Sequence, residues 1–211
     1  ETGCKRITGI DISAGKIDNA LRFYSSIDNG DKIEFIAADI YDSASAGKYD
    51  LVMMRDVLEH IHNQERFLGF VRSFLGEKGV LFIGVPPWYN PFGGHQQMCS
   101  SKILSRLPWI HLLPVWAYKG LLKVFGESDA KIEGLLEVKE TGINIGRLER
   151  IIKKEGFFIL KKSLWFINPN FEVKFGLRPR RLPHFLTSVP VLRNFIATTG
   201  YYIISKQPPV H

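Results

Sequence analysis

Short apolar runs alternate with amphipathic stretches through the first 87 residues. Arg6-Ile-Thr-Gly-Ile-Asp-Ile12 reads as a buried strand, and Ser13 is placed to cap a helix over Ala14–Ser26, with Ile17, Leu21 and Tyr24 at helical spacing. An Asp-Asn-Gly-Asp turn at 28–31 leads to a second strand over Lys32–Ile40. The small, polar segment Ser43–Lys48 is a connection to a third strand, Tyr49–Met54. Val57, Ile61, Phe67, Leu68, Val71 and Leu75 predict a helix over Asp56–Leu75. A Gly76-Glu-Lys-Gly79 turn then precedes a fourth strand, Val80–Val85, stopped by Pro86-Pro87.

The rhythm breaks at Trp88. Residues 88–142 read as an inserted lid, partly helical and rich in Trp, Leu and Pro. A helix resumes over Asn144–Glu155 and ends at Gly156. Phe157–Ile167 and Gly200–Lys206 are strands, separated by a basic, irregular insertion at 169–199. Strands alternating with helices predict an α/β fold with a mostly parallel sheet and helices on both faces. The expectation is one domain, in which 1–87 form the front of the core and 143–206 its back.

Composition sharpens this picture. The chain has 211 residues, 45% of them hydrophobic and 23% charged, which excludes disorder as its main state. Two cysteines, Cys4 and Cys99, exclude a disulfide framework and a four-cysteine zinc site, and suit a reducing, cytoplasmic setting. The net charge of +7 is split unevenly. Residues 1–101 hold 10 Lys+Arg against 13 Asp+Glu, and residues 102–211 hold 18 against 8. The most apolar long stretch, Leu107–Tyr118, is too short to span a bilayer.

Ligands of open α/β sheets bind beyond the carboxyl ends of the strands. Asp11 ends the first strand, where a carboxylate can accept both hydroxyls of a ribose. Asp39 ends the second, where it can accept from an exocyclic amine while Ile40 packs on the ring. The third strand runs into Arg55-Asp-Val-Leu-Glu-His-Ile61. The fourth runs into a loop ending Gly93-Gly-His95, whose imidazole suits proton removal near neutral pH.

The ordered set Gly-Ile-Asp-Ile-Ser, Ala-Ala-Asp-Ile, Tyr-Asp-Leu-Val, Val-Leu-Glu-His-Ile and Gly-Val-Leu-Phe-Ile-Gly-Val-Pro resembles class I S-adenosylmethionine-dependent methyltransferases, in particular the quinone-biosynthesis and small-molecule O-methyltransferases. The resemblance spans residues 6–87 and, more loosely, 143–206. It implies a Rossmann-like fold and S-adenosylmethionine as cofactor. Asp11 and Ile12 match the ribose side, Asp39 and Ile40 the adenine side, and Met54 and Arg55 the methionine side. Glu59 and His60 match a Glu-His pair opening the next helix. With His95 they form the candidate catalytic set, and Trp88 and Tyr89 are expected to line the acceptor pocket. No metal is expected.

The family's first strand and glycine-rich loop would lie upstream of Gly9 and are not found in residues 1–8. The expectation is therefore a truncated piece of a longer enzyme, with an exposed sheet edge open to self-association. The implied reaction is methyl transfer to an oxygen of a small or lipid-linked acceptor. Two alternatives stand beside it: a nucleic-acid methyltransferase or binder using the basic half, and a non-catalytic fragment. For 106–126 the choice is between a lid and peripheral membrane contact through Trp109, Trp116 and Tyr118, with Lys119 and Lys123 facing anionic headgroups.

Overall fold

β1 (Ile7–Asp11) and β2 (Ile33–Ala37) lie side by side in parallel, Gly9 opposite Phe35. Parallel neighbours need a crossover, and α1 (Ala14–Ser25) supplies it. Ile17 is its buried residue, and Tyr24 meets the Phe35 ring edge-on at 6.1 Å. Position 9 must be glycine, because a Cβ there would lie 2.7 Å from that ring. These elements belong to the first of two compact units, Glu1–Lys48; the second is Tyr49–His211. The computed structural model describes residues 3–25, 32–43 and 47–209. Ser26, the turn expected at 28–31 and residues 44–46 of the expected connection lie outside them.

The second unit is built on a five-stranded sheet. β3 (Tyr49–Arg55), β4 (Leu75–Val85), β5 (Phe158–Ile167), β6 (Arg180–Arg181) and β7 (Thr199–Ser205) are ordered β3-β4-β7-β5-β6. Only β3–β4 is parallel; β4–β7, β5–β7 and β5–β6 are antiparallel. A mostly parallel sheet is thus borne out only at β1–β2 and β3–β4. The reason is the 169–199 segment. It turns the chain back so that β7 enters antiparallel between β4 and β5.

Two expected elements take a different form. The helix expected over 56–75 is broken: α2 covers Gln64–Val71 only, preceded by a 3₁₀ turn at Leu58–His60 and followed by another at Arg72–Phe74. Left-handed residues at Asp56 (φ 53°) and Asn63 (φ 49°) bend the chain on either side of the first turn. Asn63 then caps α2 by accepting from Arg66 N at 3.2 Å. The Gly76–Gly79 turn is instead absorbed into β4 as an irregularity, where Tyr49 faces Leu75 but Leu51 already faces Val80. Gly79 permits it, since a Cβ would meet Tyr49 O at 2.6 Å.

The insertion after β4 packs a small core of its own. α3 (Val115–Val124) and α4 (Asp129–Thr141) bury Tyr118, Leu122, Ile132 and Leu135 against Cys99 and Leu104. Tyr118 is therefore a core residue, not an interfacial one. Its phenol lies fully inside, and burial pushes its pKa up. The entry to the insertion is tied down by Glu127, whose carboxylate accepts from Ser100 N and Ser101 N at 3.0 and 2.9 Å.

α5 (Ile145–Lys154) starts where expected, with Asn144 accepting from Arg147 N at 2.9 Å. It ends where Gly156 turns left-handed (φ 73°). The basic segment folds as α6 (Asn170–Phe175), β6, α7 (His184–Thr187) and α8 (Pro190–Ile196). Leu182 and Ala197 from this segment close a second core with Ile145 and Leu164.

Gly142 links α4 to α5 beneath the Trp88 indole, and a Cβ there would lie 2.4 Å from that ring. Gly142→Ala is expected to cost about 1–3 kcal/mol of stability, as overpacking does, read as a lower urea midpoint with an unchanged slope.

Candidate active site

In the first unit both predicted acids sit at strand carboxyl ends. Asp11 is the last residue of β1. One carboxylate oxygen accepts from Ser13 N at 2.9 Å and the other pairs with Lys16 Nζ at 3.3 Å. Part of its duty is thus to open α1. Its carboxylate stays one-third exposed. Ile12 beside it is exposed. Asp39 stands two residues past β2, and its side chain accepts from Tyr41 N at 2.9 Å, opening the 3₁₀ turn Ile40–Ser43. Ile40 is half-buried.

In the second unit, β3 delivers Met54 and Arg55 at its carboxyl end. Met54 is buried, whereas Arg55 is exposed and lies 3.6 Å from Asp56. Arg55 pairs with Gly84 across β4, and Asp56 N donates to Gly84 O at 2.9 Å, so the two strands end level. Each then leads into a loop, and the two loops meet.

That meeting joins Glu59, His60 and His95. Glu59 and His60 lie not on a helix start but in the 3₁₀ turn before α2. Thr141 Oγ1 at the end of α4 donates to Glu59 O, and Gln64 Nε2 donates to Leu58 O at 3.0 Å and Thr141 O at 2.6 Å. These bonds point the Glu59 carboxyl inward, where it is 2% exposed and neither oxygen has a hydrogen-bond partner. His95 arrives from the β4 loop in the left-handed conformation (φ 57°). Its Nε2 is 3.9 Å from Glu59 Oε1, and its ring centroid is 5.0 Å from that of His60. His60 is on the exposed side.

The electrostatics follow from burial. Desolvation raises the Glu59 carboxyl to about 8, opposed by its own backbone N–H and assisted by the charge of Asp56. Desolvation lowers the His95 imidazole to about 4, with His60 and His111 adding repulsion of the charged form. The pocket therefore favours a neutral carboxyl beside a neutral imidazole.

The loop carrying His95 is held by glycines whose missing side chains are filled by neighbours. At Gly93 a Cβ would meet Trp88 O at 2.2 Å, and at Gly94 the His111 side chain at 2.1 Å. His111 is fully buried, bonded through Nε2 to Trp88 O at 2.8 Å, and its pKa is lowered to about 4 by burial. Trp88 and Tyr89 pack differently. Trp88 meets His111 edge-on at 4.6 Å and has Lys139 Nζ 5.7 Å from its ring, while Tyr89 stacks on Phe195 of α8 at 5.3 Å. Thr141, Gln64 and His111 support the site without having been singled out in the sequence. Thr141 lies far from the motifs along the chain, and no spacing rule marks Gln64 or His111.

With this geometry in view, comparison with known proteins is informative. The methyltransferase domain family matches residues 1–129, more than half of the chain. The chain belongs to that family and is a class I S-adenosylmethionine-dependent methyltransferase. A curated relative, ubiquinone biosynthesis O-methyltransferase of Rickettsia canadensis (strain McKiel), is 23% identical over 178 residues, covering 84% of this chain and 68% of the relative. PKMT2 from Rickettsia typhi, solved in complex with AdoHcy, aligns at a TM-score of 0.54 and 15% identity over 98% of this chain and 45% of that one. The plantazolicin methyltransferase BamL, solved in complex with a triazolic desmethylPZN analog and SAH, aligns at a TM-score of 0.53 and 13% identity, over 96% and 68%. At such identities the structural likeness establishes the Rossmann-like methyltransferase fold. Among the described residues, no helix is long and apolar enough to cross a membrane.

The raised Glu59 pKa makes a stability prediction. Between about 4.5 and 8 the unfolded chain has lost this proton and the folded chain keeps it, so stability falls as pH rises through that window. Glu59→Gln removes the effect. Its stability relative to the parent should therefore improve from pH 5 to pH 8, by on the order of 1.4 kcal/mol per pH unit within the window. Urea unfolding of both proteins at the two pH values, in buffer with a chelator, checks this.

Proposed function

We propose that the chain transfers the S-methyl group of S-adenosylmethionine to a hydroxyl oxygen of a small or lipid-linked acceptor, with the Glu59–His95 pair receiving the hydroxyl proton. Bound S-adenosylmethionine supplies an electrophilic sulfonium methyl. The residues read as holding it are Asp11 and Ile12 for the ribose, Asp39 and Ile40 for the adenine, and Met54 and Arg55 near the methionine end. Each stands at or just past the carboxyl end of a parallel strand, where sheets of this kind bind ligands. The one-third-exposed Asp11 carboxylate fits a ribose in chemistry, because it is an acceptor facing two donors.

One observation carries the acceptor side: an inward carboxyl with no hydrogen-bond partner, 3.9 Å from an imidazole, where the β3 and β4 loops meet. Oxygen attack on the methyl forms the O–CH3 bond as the C–S pair returns to sulfur. The hydroxyl proton must then leave. A base is most effective when its pKa lies near the working pH, and a Glu59 pKa near 8 meets that condition better than the depressed His95. His95, neutral at pH 7, is suited to orient the hydroxyl and His60 to sit at the outer mouth. Trp88 and Tyr89 follow β4 on the same side and are read as walls of the acceptor pocket, Trp88 with its edge and Tyr89 through the plane it shares with Phe195.

The oxygen acceptor is supported by the relative whose name is an O-methyltransferase, and a lipid-linked one by the surface of 107–125. There Trp116 is 79% and Val124 83% exposed on α3. The basic half is also partly consumed internally: Lys162 and Arg193 pair with Glu149 at 2.9 and 3.0 Å, and Lys131 with Glu127 at 3.4 Å. This weakens the nucleic-acid reading.

Methylation of a panel of phenolic and lipid-linked hydroxyl compounds, followed by mass shift, tests the reaction. Glu59→Gln and His95→Ala should each lower kcat by roughly 10²–10⁴-fold with calorimetric binding of S-adenosylmethionine unchanged. In the parent, kcat should rise with pH and level off near 8. Equal rates in parent and variants would remove the pair from the mechanism. For the surface reading, co-sedimentation with anionic vesicles should fall on Trp116→Ser, and an unchanged bound fraction would discard it.

A further inference from the structure

Glu59, His60 and His95 together offer more than a proton acceptor. One ligand atom from each (a carboxylate oxygen and two ring nitrogens) lies within 4.8 Å of the other two. A transition-metal cation with bonds of about 2.0–2.1 Å holds its ligand atoms roughly 3.3 Å apart. Closing the cluster onto an ion therefore takes side-chain shifts of about an ångström, with His60 offering its ring from the exposed side. Both Glu59 oxygens are buried and unbonded. A buried carboxyl without a donor is costly, and a cation is the partner that would remove the cost.

We propose that Glu59, His60 and His95 bind a divalent transition-metal cation of the zinc type. Two imidazoles and one carboxylate suit zinc, iron(II), cobalt(II) or manganese(II), whereas magnesium and calcium prefer all-oxygen sites. Three protein ligands, two from the turn after β3 and one from the loop after β4, leave coordination positions for water or a substrate oxygen. The cluster is braced as metal sites require. Thr141 and Gln64 fix the Glu59 turn, and the packed glycines fix the His95 loop.

The catalytic consequence rests on the hydroxyl-acceptor reading above. A hydroxyl oxygen on the cation would be acidified and aimed, leaving less for a side-chain base to do. The binding itself does not rest on that reading.

The test uses the chain alone, stripped with a chelator, without cofactor or acceptor. Zinc is titrated calorimetrically and cobalt by its visible absorption, against magnesium as comparison. Saturable one-to-one zinc binding with cobalt bands of a nitrogen–oxygen site is expected. His60→Asn, at an exposed position, should weaken binding roughly 100-fold with the circular dichroism spectrum unchanged, and Glu59→Gln and His95→Asn should do the same. His62→Ala should bind as the parent does, since His62 faces Glu137 on the surface at 3.9 Å. Binding that survives His60→Asn and Glu59→Gln, or no one-to-one binding in the parent, overturns the proposal. Methyl transfer is read separately. Its absence with zinc bound would count against the acceptor reading, and its presence in metal-free enzyme with no zinc binding would count against the cation alone.

Discussion

The candidate site depends on one small joint. The turn Leu58–His60 has two hydrogen bonds of its own, from His60 N to Val57 O at 3.0 Å and from Ile61 N to Leu58 O at 3.3 Å. It is fixed from outside by the end of α4, through Thr141 and Gln64. Thr141 Oγ1 gives Glu59 O a donor, and Gln64 Nε2 adds a second to Leu58 O beside Ile61 N. By occupying the carbonyl side of the turn, they leave the Glu59 side chain only the inward direction. The unusual chemistry of that carboxyl is thus a product of backbone bookkeeping some eighty residues away. It also explains why an insertion after β4 is part of the site rather than an ornament: α4 belongs to it.

The strands were readable because their apolar runs are continuous and their ends carry proline, glycine or a capping residue. The Pro86-Pro87 stop, the Asn144 cap and the Gly156 turn all behave as local chemistry dictates. The sheet's polarity was not readable. Whether β7 runs with or against its neighbours depends on how the 169–199 segment folds back, and nothing in β7 itself encodes that. The helix expected over 56–75 misled for a related reason. Its apolar spacing is real, since Phe67, Leu68 and Val71 are buried as the pattern requires. The break at Asp56 and Asn63 is set by left-handed backbone that periodicity does not register.

For the candidate site, chain position marks Asp11 and Asp39 at the carboxyl ends of the first unit's strands, and within the second unit it marks Glu59 and His95, which lie 3.9 Å apart where the loops after β3 and β4 meet. Their neighbours were not legible. The Asp11 carboxyl shares itself between α1 and Lys16, and Tyr118, which reads as interfacial in an aromatic run, is wholly internal. A hydropathy pattern records how apolar a segment is, not which of its rings turns inward. Glycines 93, 94 and 142 tell a similar story. Their role is to let Trp88 and His111 approach the backbone, and only the packing reveals it.

Among the described residues, four besides glycines have positive φ: Asp56, Asn63, His95 and Trp109. Three of them carry or flank the Glu59–His60–His95 cluster. Such conformations cost of order 1–3 kcal/mol each and persist only where surrounding structure imposes them. The cost falls during folding, before any ligand arrives. The side chains consequently meet an incoming molecule already oriented, and little reorganisation is left to charge against the barrier. Relaxing those residues would yield a sturdier protein whose reactive groups no longer face one another, so selection for stability and selection for turnover pull against each other at these positions.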